Sequence, residues 1–274
     1  MSWYAIDEQP TLWYARNGLR TAPPVMLLHG FASDHCSWQA LAETLGHHWD
    51  IVAPDLPGHG KTQLKAGITH VPMAQSADDL TSLMNTLRPS PFVIVGYSMG
   101  GRLALHIATQ HLPHVAGLVL ISTSPGLADY SAQATRRQQD ERLAQLIIQR
   151  GVDWFLSYWE ALPLFASDGH QSPPIRCLSP EPCGLATSLS LAGTGQQHSL
   201  WNELPRVTLP TLLITGQKDQ KFTEIAQQMS KFLPDVHHHI VPGAGHRVPW
   251  DAPDSTHQLV IDFLHMVWKT REVG

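Results

Sequence analysis

Phe92-Val93-Ile94-Val95-Gly96-Tyr97-Ser98-Met99-Gly100-Gly101-Arg102 is the stretch on which the fold turns. A short apolar run rich in β-branched residues passes directly into a G-x-S-x-G pattern, and residues 103–108 then read as a helix. An apolar run without alternation suits a strand buried on both faces. The two glycines permit a strained strand-to-helix turn that exposes the Ser98 hydroxyl at the carboxyl edge of a sheet. Backbone N–H groups at the start of the following helix can then stabilise a developing negative oxygen.

Working outward, the same alternation recurs on both sides. Residues 25–28, 51–55, 115–121, 211–215 and 238–241 read as further strands. Helical spacing runs through 38–45, 78–87, from 224 onward and through 255–267. This β-α-β-α order predicts an α/β protein with a mostly parallel central sheet and helices on both faces. The rhythm breaks near Pro125. From 127 to about 204 the chain reads as helical or irregular, with an amphipathic helix over 136–150 and an aromatic-rich stretch over 152–162. Ser172-Pro173-Pro174 and Ser179-Pro180-Glu181-Pro182 punctuate it. The expectation is one core domain built from 1–124 and 206–274, with a helical lid inserted over 125–205. An independent second domain is the weaker alternative, since the strands on either side of the block look like parts of one sheet. There is no repeat and no low-complexity segment.

Composition narrows the function. A formal net charge of −5 with only 15% charged residues argues against a nucleic-acid binder that works through a broad basic surface. No apolar run approaches the roughly 18 residues of a membrane span. No basic-then-apolar leader opens the chain. Three sparse cysteines, Cys36, Cys177 and Cys183, favour a reduced compartment over a disulfide scaffold and match no zinc spacing. A cytoplasmic protein with no metal is therefore expected, its oligomeric state open. His237-His238-His239 falls in a predicted strand, which would throw alternate rings to opposite faces and so suits a strand edge better than a metal tract.

A serine hydroxyl is a weak nucleophile and a weak base until a neighbour takes its proton. Asp219 follows the strand at 211–215, and His246 follows the strand at 238–241, in the order Ser, acid, His. Both fall on loops after strand carboxyl ends, where sites form in open α/β sheets. Asp55 precedes the serine and reads as a structural turn residue. His29-Gly30-Phe31 ends the first strand, so the backbone N–H of Phe31 suits a second oxyanion donor beside that of Met99, with the His29 ring supporting the loop.

These residues resemble the α/β-hydrolase superfamily across the chain outside the insertion. A closer resemblance rests on Asp55-Leu56-Pro57-Gly58-His59-Gly60, on Tyr97-Ser98-Met99-Gly100-Gly101-Arg102 and on Gly216-Gln217-Lys218-Asp219-Gln220-Lys221-Phe222. Within the insertion it rests on Ser124-Pro125-Gly126-Leu127, the Arg136 to Asp140 segment, the Trp159 to Phe165 segment and Gly193-Thr194-Gly195. Together they are similar to the 2-succinyl-6-hydroxy-2,4-cyclohexadiene-1-carboxylate synthases of menaquinone and phylloquinone biosynthesis. That resemblance implies a lyase that eliminates pyruvate without metal or organic cofactor. Ser98, assisted by His246 and Asp219, would abstract the proton next to a ketone, and the N–H groups of Phe31 and Met99 would hold the enolate.

The substrate so implied is a small polycarboxylate, which calls for cations in an otherwise acidic protein. Arg102 lies one turn into the helix after Ser98, where the macrodipole disfavours a cation unless an anion is near. Arg pairs with carboxylates bidentately. By resemblance Arg136 binds another carboxylate from the lid, with Arg137 a weaker candidate, and a third lid arginine is expected. Here that stretch reads Ile175-Arg176-Cys177, so either Arg176 serves or Cys177 stands in its place. Tyr97 and Trp159 are candidates to pack against the ring. A serine esterase or carbon–carbon hydrolase acting through a covalent Ser98 intermediate is the alternative, favoured less because an ester would more often want an apolar lid. A non-catalytic receptor of the same fold has no need of an aligned triad.

Overall fold

The computed structural model describes residues 12–62, 72–110, 112–168 and 176–272. The expected break at Ser172-Pro173-Pro174 lies outside these residues. Seven strands form one sheet in the order β1-β3-β2-β4-β5-β6-β7. They are β1 (Tyr14–Gly18), β2 (Pro24–Leu28), β3 (Asp50–Pro54), β4 (Phe92–Tyr97), β5 (Val115–Ile121), β6 (Thr211–Gly216) and β7 (Val236–Val241). All neighbours pair in parallel except β1, which runs antiparallel to β3. The helices of the core are α1 (Gln39–Leu45), α2 (Met73–Leu87) and α3 (Met99–Gln110), then α6 (Gln220–Met229), α7 (Val248–Asp251) and α8 (Pro253–Glu272) beyond the insertion that carries α4 (Tyr130–Glu160) and α5 (Pro182–Ala192).

The period-two alternation of the strands divides the apolar residues between two cores. Met26, Leu28, Ile94 and Leu120 pack with α2 and α3 on one face. Val25, Leu27, Val95 and Ile121 pack with α1 and α8 on the other. Strand β1 is a departure from expectation. Its mixed sequence carries no apolar run, and it adds to the edge partly through a buried bidentate pair from Arg16 to Asp50, at 2.8 and 2.6 Å. At the far edge, His237 and His239 are exposed and His238 is half-buried, its Nε2 2.8 Å from Thr215 Oγ1. That is the alternation expected of an edge strand.

The connection between β5 and β6 is the long one, although the two strands are neighbours. Among its described residues it contains helices and turns and no strand. Helix α4 starts earlier than its apolar spacing suggests because Asp129 caps it, accepting from Ala132 N at 2.6 Å. It is broken at Gly151, whose φ of 80° is non-helical, so the stretches expected over 136–150 and 152–162 are two arms of one kinked element. Ala144, Ile147 and Phe155 pack against Leu185 and Leu189 of α5 and, through Phe31, onto the loop after β2.

One expectation is corrected here. Cys36 and Cys177 are joined by a disulfide across 141 positions, and only Cys183 is free. The pairing follows from the lid folding back onto the residues after β2, which no local spacing reveals. Asp34 reinforces the junction by accepting from Cys177 N at 2.8 Å. No helix among the described residues is long and apolar enough to cross a membrane.

Candidate active site

Ser98 stands between β4 and α3 with a φ of 50°, the left-handed conformation that a strand-to-helix elbow imposes. The glycines on either side make room for it. A Cβ on Gly96 would come 2.6 Å from the Gly100 carbonyl oxygen, and one on Gly100 would collide with the Leu28 carbonyl. The turn is held by Ser98 N donating to Ile121 O at 2.9 Å and by Thr123 Oγ1 donating to Ser98 O at 2.7 Å.

Asp219 and His246 meet it from the loops after β6 and β7, as their order implied. His246 Nδ1 lies 2.7 Å from Asp219 Oδ2, and His246 Nε2 lies 3.4 Å from Ser98 Oγ. An ionised acid at Nδ1 makes that nitrogen the donor and leaves Nε2 as the acceptor that a base requires. The histidine is 1% exposed, and Phe222 packs against its ring at 4.6 Å. Asp219 also caps α6 through its other oxygen, accepting from Phe222 N at 3.3 Å. Met99 opens α3, where the first-turn N–H groups have no intrahelical acceptor. Phe31 lies across from it on the same cavity.

Asp55 and His29 take the structural roles expected of them. Asp55 accepts from His35 N and Lys61 N, each at 2.8 Å. His29 receives Leu56 N at Nε2, 2.9 Å away, and donates from Nδ1 to Gly30 O at 2.8 Å, so the ring is a neutral brace between two loops.

A cavity of about 320 Å³ opens over Ser98, bounded by Phe31, Met99, Arg102, Arg136, Trp159 and Lys221 among others. Arg102 is its most telling wall. It is 9% exposed, and it donates through Nη1 only to neutral oxygens, to Ala192 O at 3.0 Å and to Gln197 Oε1 at 2.9 Å. Burial and, next, the nearby Arg136 push its pKa down to about 10, against the pull of Asp140. Among the described residues no carboxylate lies within ion-pair reach of it. Arg136 is paired with Asp140 at 2.7 Å but remains more than a third exposed and faces the cavity. Arg137 turns instead toward Gly195 O, at 3.4 Å.

Two candidates are placed elsewhere. Tyr97 and Arg176 line a small neighbouring recess with Arg247 rather than the main cavity. Tyr97 is buried between His246 and Trp250, with ring centroids at 5.5 and 4.9 Å. Arg176 donates to Ala32 O at 2.6 Å and lies 3.4 Å from Glu160. Trp159 borders both spaces and packs on Phe31 at 5.2 Å.

Three residues were not anticipated. Lys221 brings a third cation to the cavity wall, and its position two residues after Asp219 was the available signal. Arg247, next to His246, pairs with Glu160 at 2.7 Å. Asp168, from the lid, accepts the backbone N–H of His246 at 2.7 Å, a contact across 78 positions with no trace in local sequence.

A family profile described as alpha/beta hydrolase fold matches residues 23–253. A Bacillus subtilis protein, provisionally named a 2-succinyl-6-hydroxy-2,4-cyclohexadiene-1-carboxylate synthase, is 36% identical over 91% of this chain and 93% of its own. A Salmonella agona protein named 2-succinyl-6-hydroxy-2,4-cyclohexadiene-1-carboxylate synthase is 32% identical over 85% of this chain and 90% of its own. Among solved structures, MenH from S. aureus superposes with a TM-score of 0.88 at 28% identity, covering 95% of this chain and all of that one.

Proposed function

The chain belongs to the alpha/beta hydrolase fold family and stands with its 2-succinyl-6-hydroxy-2,4-cyclohexadiene-1-carboxylate synthases, and from that premise we propose that it is a lyase which releases pyruvate from 2-succinyl-5-enolpyruvyl-6-hydroxy-3-cyclohexene-1-carboxylate. The change from a 3-ene to a 2,4-diene defines the electron flow. The proton on the ring carbon that bears the succinyl ketone leaves, its electron pair forms a double bond to the next ring carbon, the existing double bond shifts along the ring, and the bond to the enolpyruvyl oxygen breaks. That oxygen takes up a proton, and the enol relaxes to pyruvate.

Such a reaction asks for a base and for stabilised negative charge on the ketone oxygen, and it calls for no metal or organic cofactor. Ser98, its proton held by His246 and Asp219, is the base. The N–H groups of Phe31 and Met99 are the donors to the enolate oxygen. The substrate carries three carboxylates, on the ring, the succinyl arm and the enolpyruvyl group, and the cavity carries Arg102, Arg136 and Lys221 to receive them.

The observation that carries this reading is Arg102. Among the described residues no carboxylate lies within ion-pair reach of this buried guanidinium, Asp140 acting on it only at longer range, so its burial costs free energy that an anionic ligand in the cavity would offset. An uncharged ester supplies no such compensation. The test is pyruvate release from the enolpyruvyl substrate, followed by coupled NADH oxidation with lactate dehydrogenase, for wild type and Ser98→Ala. Turnover by wild type and its loss in Ser98→Ala are expected. No pyruvate alongside rapid hydrolysis of simple aryl esters would replace the lyase with an esterase.

A further inference from the structure

Asp168 lies in the lid just past the turn Pro163–Phe165, yet its side chain is committed to the loop that carries the catalytic histidine. Its Oδ1 accepts the backbone N–H of His246 at 2.7 Å and lies 3.4 Å from that of Arg247. The preceding N–H, of Gly245, donates to Asp251 Oδ2 at 2.7 Å. Consecutive peptide groups of the histidine loop are thus each held by a carboxylate, one from the core and one from the lid. The approach is close enough that a Cβ on Gly245 would collide with Asp168. Only glycine admits the lid carboxylate there.

The neighbouring contacts act in the same direction. Arg247 stacks its guanidinium 3.9 Å from the Phe165 ring centroid, reaches Glu160 Oε2 at 2.7 Å and lies 3.6 Å from Asp168 Oδ2. The lid therefore grips residues 245–247 through Glu160, Phe165 and Asp168. Asp168 itself borders neither the main cavity nor the smaller recess, so its effect on chemistry has to pass through the histidine.

We infer that Asp168 is a positioning residue for the catalytic base: the lid supplies the carboxylate that fixes the main chain of His246 and so sets Nε2 against Ser98. A charge-assisted bond from a carboxylate to a peptide N–H is among the stronger neutral-to-ion contacts available. An error of about 1 Å in the placement of a catalytic group can cost on the order of 100-fold in rate. The lid is then part of the catalytic apparatus in a second sense, beyond carrying Arg136: without it the triad is present but misaimed.

The test compares Asp168→Ala, Asp168→Asn and Gly245→Ala with wild type. Turnover is followed with the enolpyruvyl substrate and, separately, with p-nitrophenyl acetate. Both reactions need His246 as base, so loss of the lyase reading leaves the ester measurement intact. Asp168→Ala and Gly245→Ala are expected to lower kcat by at least 30-fold with KM within about threefold. Asp168→Asn keeps an oxygen acceptor at the same place and is expected to retain most of kcat. An activity-independent readout is the low-field proton NMR signal of His246 Nδ1–H, expected to shift in Asp168→Ala and to persist in Asp168→Asn. A rise in KM at unchanged kcat, an Asn variant as impaired as Ala, or an unmoved Nδ1–H signal in Asp168→Ala would overturn the inference.

Discussion

Nδ1 of His246 donates to Oδ2 of Asp219 at 2.7 Å, and that bond decides what the ring can do on its far side, where Nε2 stands 3.4 Å from the Ser98 hydroxyl oxygen. An aspartate can only accept from Nδ1, so Nε2 is left as a base. An asparagine can turn its amide and donate instead, which would place the proton on Nε2 and leave Ser98 without an acceptor. Asp219→Asn is therefore expected to lower kcat by about 10²–10⁴-fold while KM changes little. Steady-state pyruvate release measures it. A variant within threefold of wild type would mean that the tautomer is set by something other than Asp219.

Arg102 poses the opposite balance, a group kept at a cost to the fold. Its burial disfavours the charged form, and the neighbouring Arg136 adds to this. Arg102→Met removes a desolvated charge and leaves Ala192 O and Gln197 Oε1 without their donor. These effects oppose each other, and the net loss of stability is expected to stay below about 1 kcal/mol. Catalysis has no such compensation. kcat/KM is expected to fall at least tenfold, about 1.4 kcal/mol of transition-state binding. Urea unfolding and turnover on the same preparation separate the two, and unchanged kcat/KM would remove Arg102 from the substrate site.

What was legible in the sequence had a local cause. The strand, elbow and helix around Ser98 are written in one continuous stretch, where Gly96 and Gly100 each answer a backbone contact and Gly101 makes room for the Thr123 side chain. Asp219 and His246 could be chosen because each follows a strand, and the ends of parallel strands share an edge. The lid resisted in proportion to the distance its contacts span. Asp168 meets His246 across 78 positions, and Cys36 meets Cys177 across 141. Tyr97 lines the smaller recess instead of the main cavity for a related reason. Adjacency to Ser98 says nothing about direction, and the elbow that lifts Ser98 into the cavity turns Tyr97 away beneath it. Strand β1 lacked an apolar run because its pairing with β3 depends partly on one buried ion pair.

Two buried histidines make stability depend on pH. Burial, reinforced by His29, lowers the pKa of His59 to about 3; burial, reinforced by Arg102 and then His198, lowers that of His106 to about 4. Neither Nε2 has a hydrogen-bond partner among the described residues. In the unfolded chain both titrate near 6.5. Below that pH the unfolded state binds protons that the folded state refuses. The stability held by these neutral rings is complete above the unfolded value and is lost as pH falls toward the folded ones. Each proton contributes a slope of about 1.4 kcal/mol per pH unit. Unfolding free energy is expected to drop steadily from about pH 6 to 4.5, and His106→Asn should flatten that slope by close to one proton. An identical slope in the variant would show that His106 is protonated in the folded state.

The bridge between Cys36 and Cys177 closes a loop that contains the core strands β3 to β5 and most of the described lid, so its effect falls on the unfolded chain. Tethering chain ends so far apart removes more unfolded-state entropy than a short loop would, although measured gains rise only weakly with length. Thiol titration of the denatured, unreduced protein is expected to find the single thiol of Cys183 and, after reduction, three. Reduction, or Cys36→Ser, is expected to cost about 2–4 kcal/mol in urea unfolding. The loss should appear mainly as a shift in midpoint; a lower slope after reduction would instead report a lid that opens separately from the core. Three thiols titrating without reductant would sink the bridge and the stability difference together.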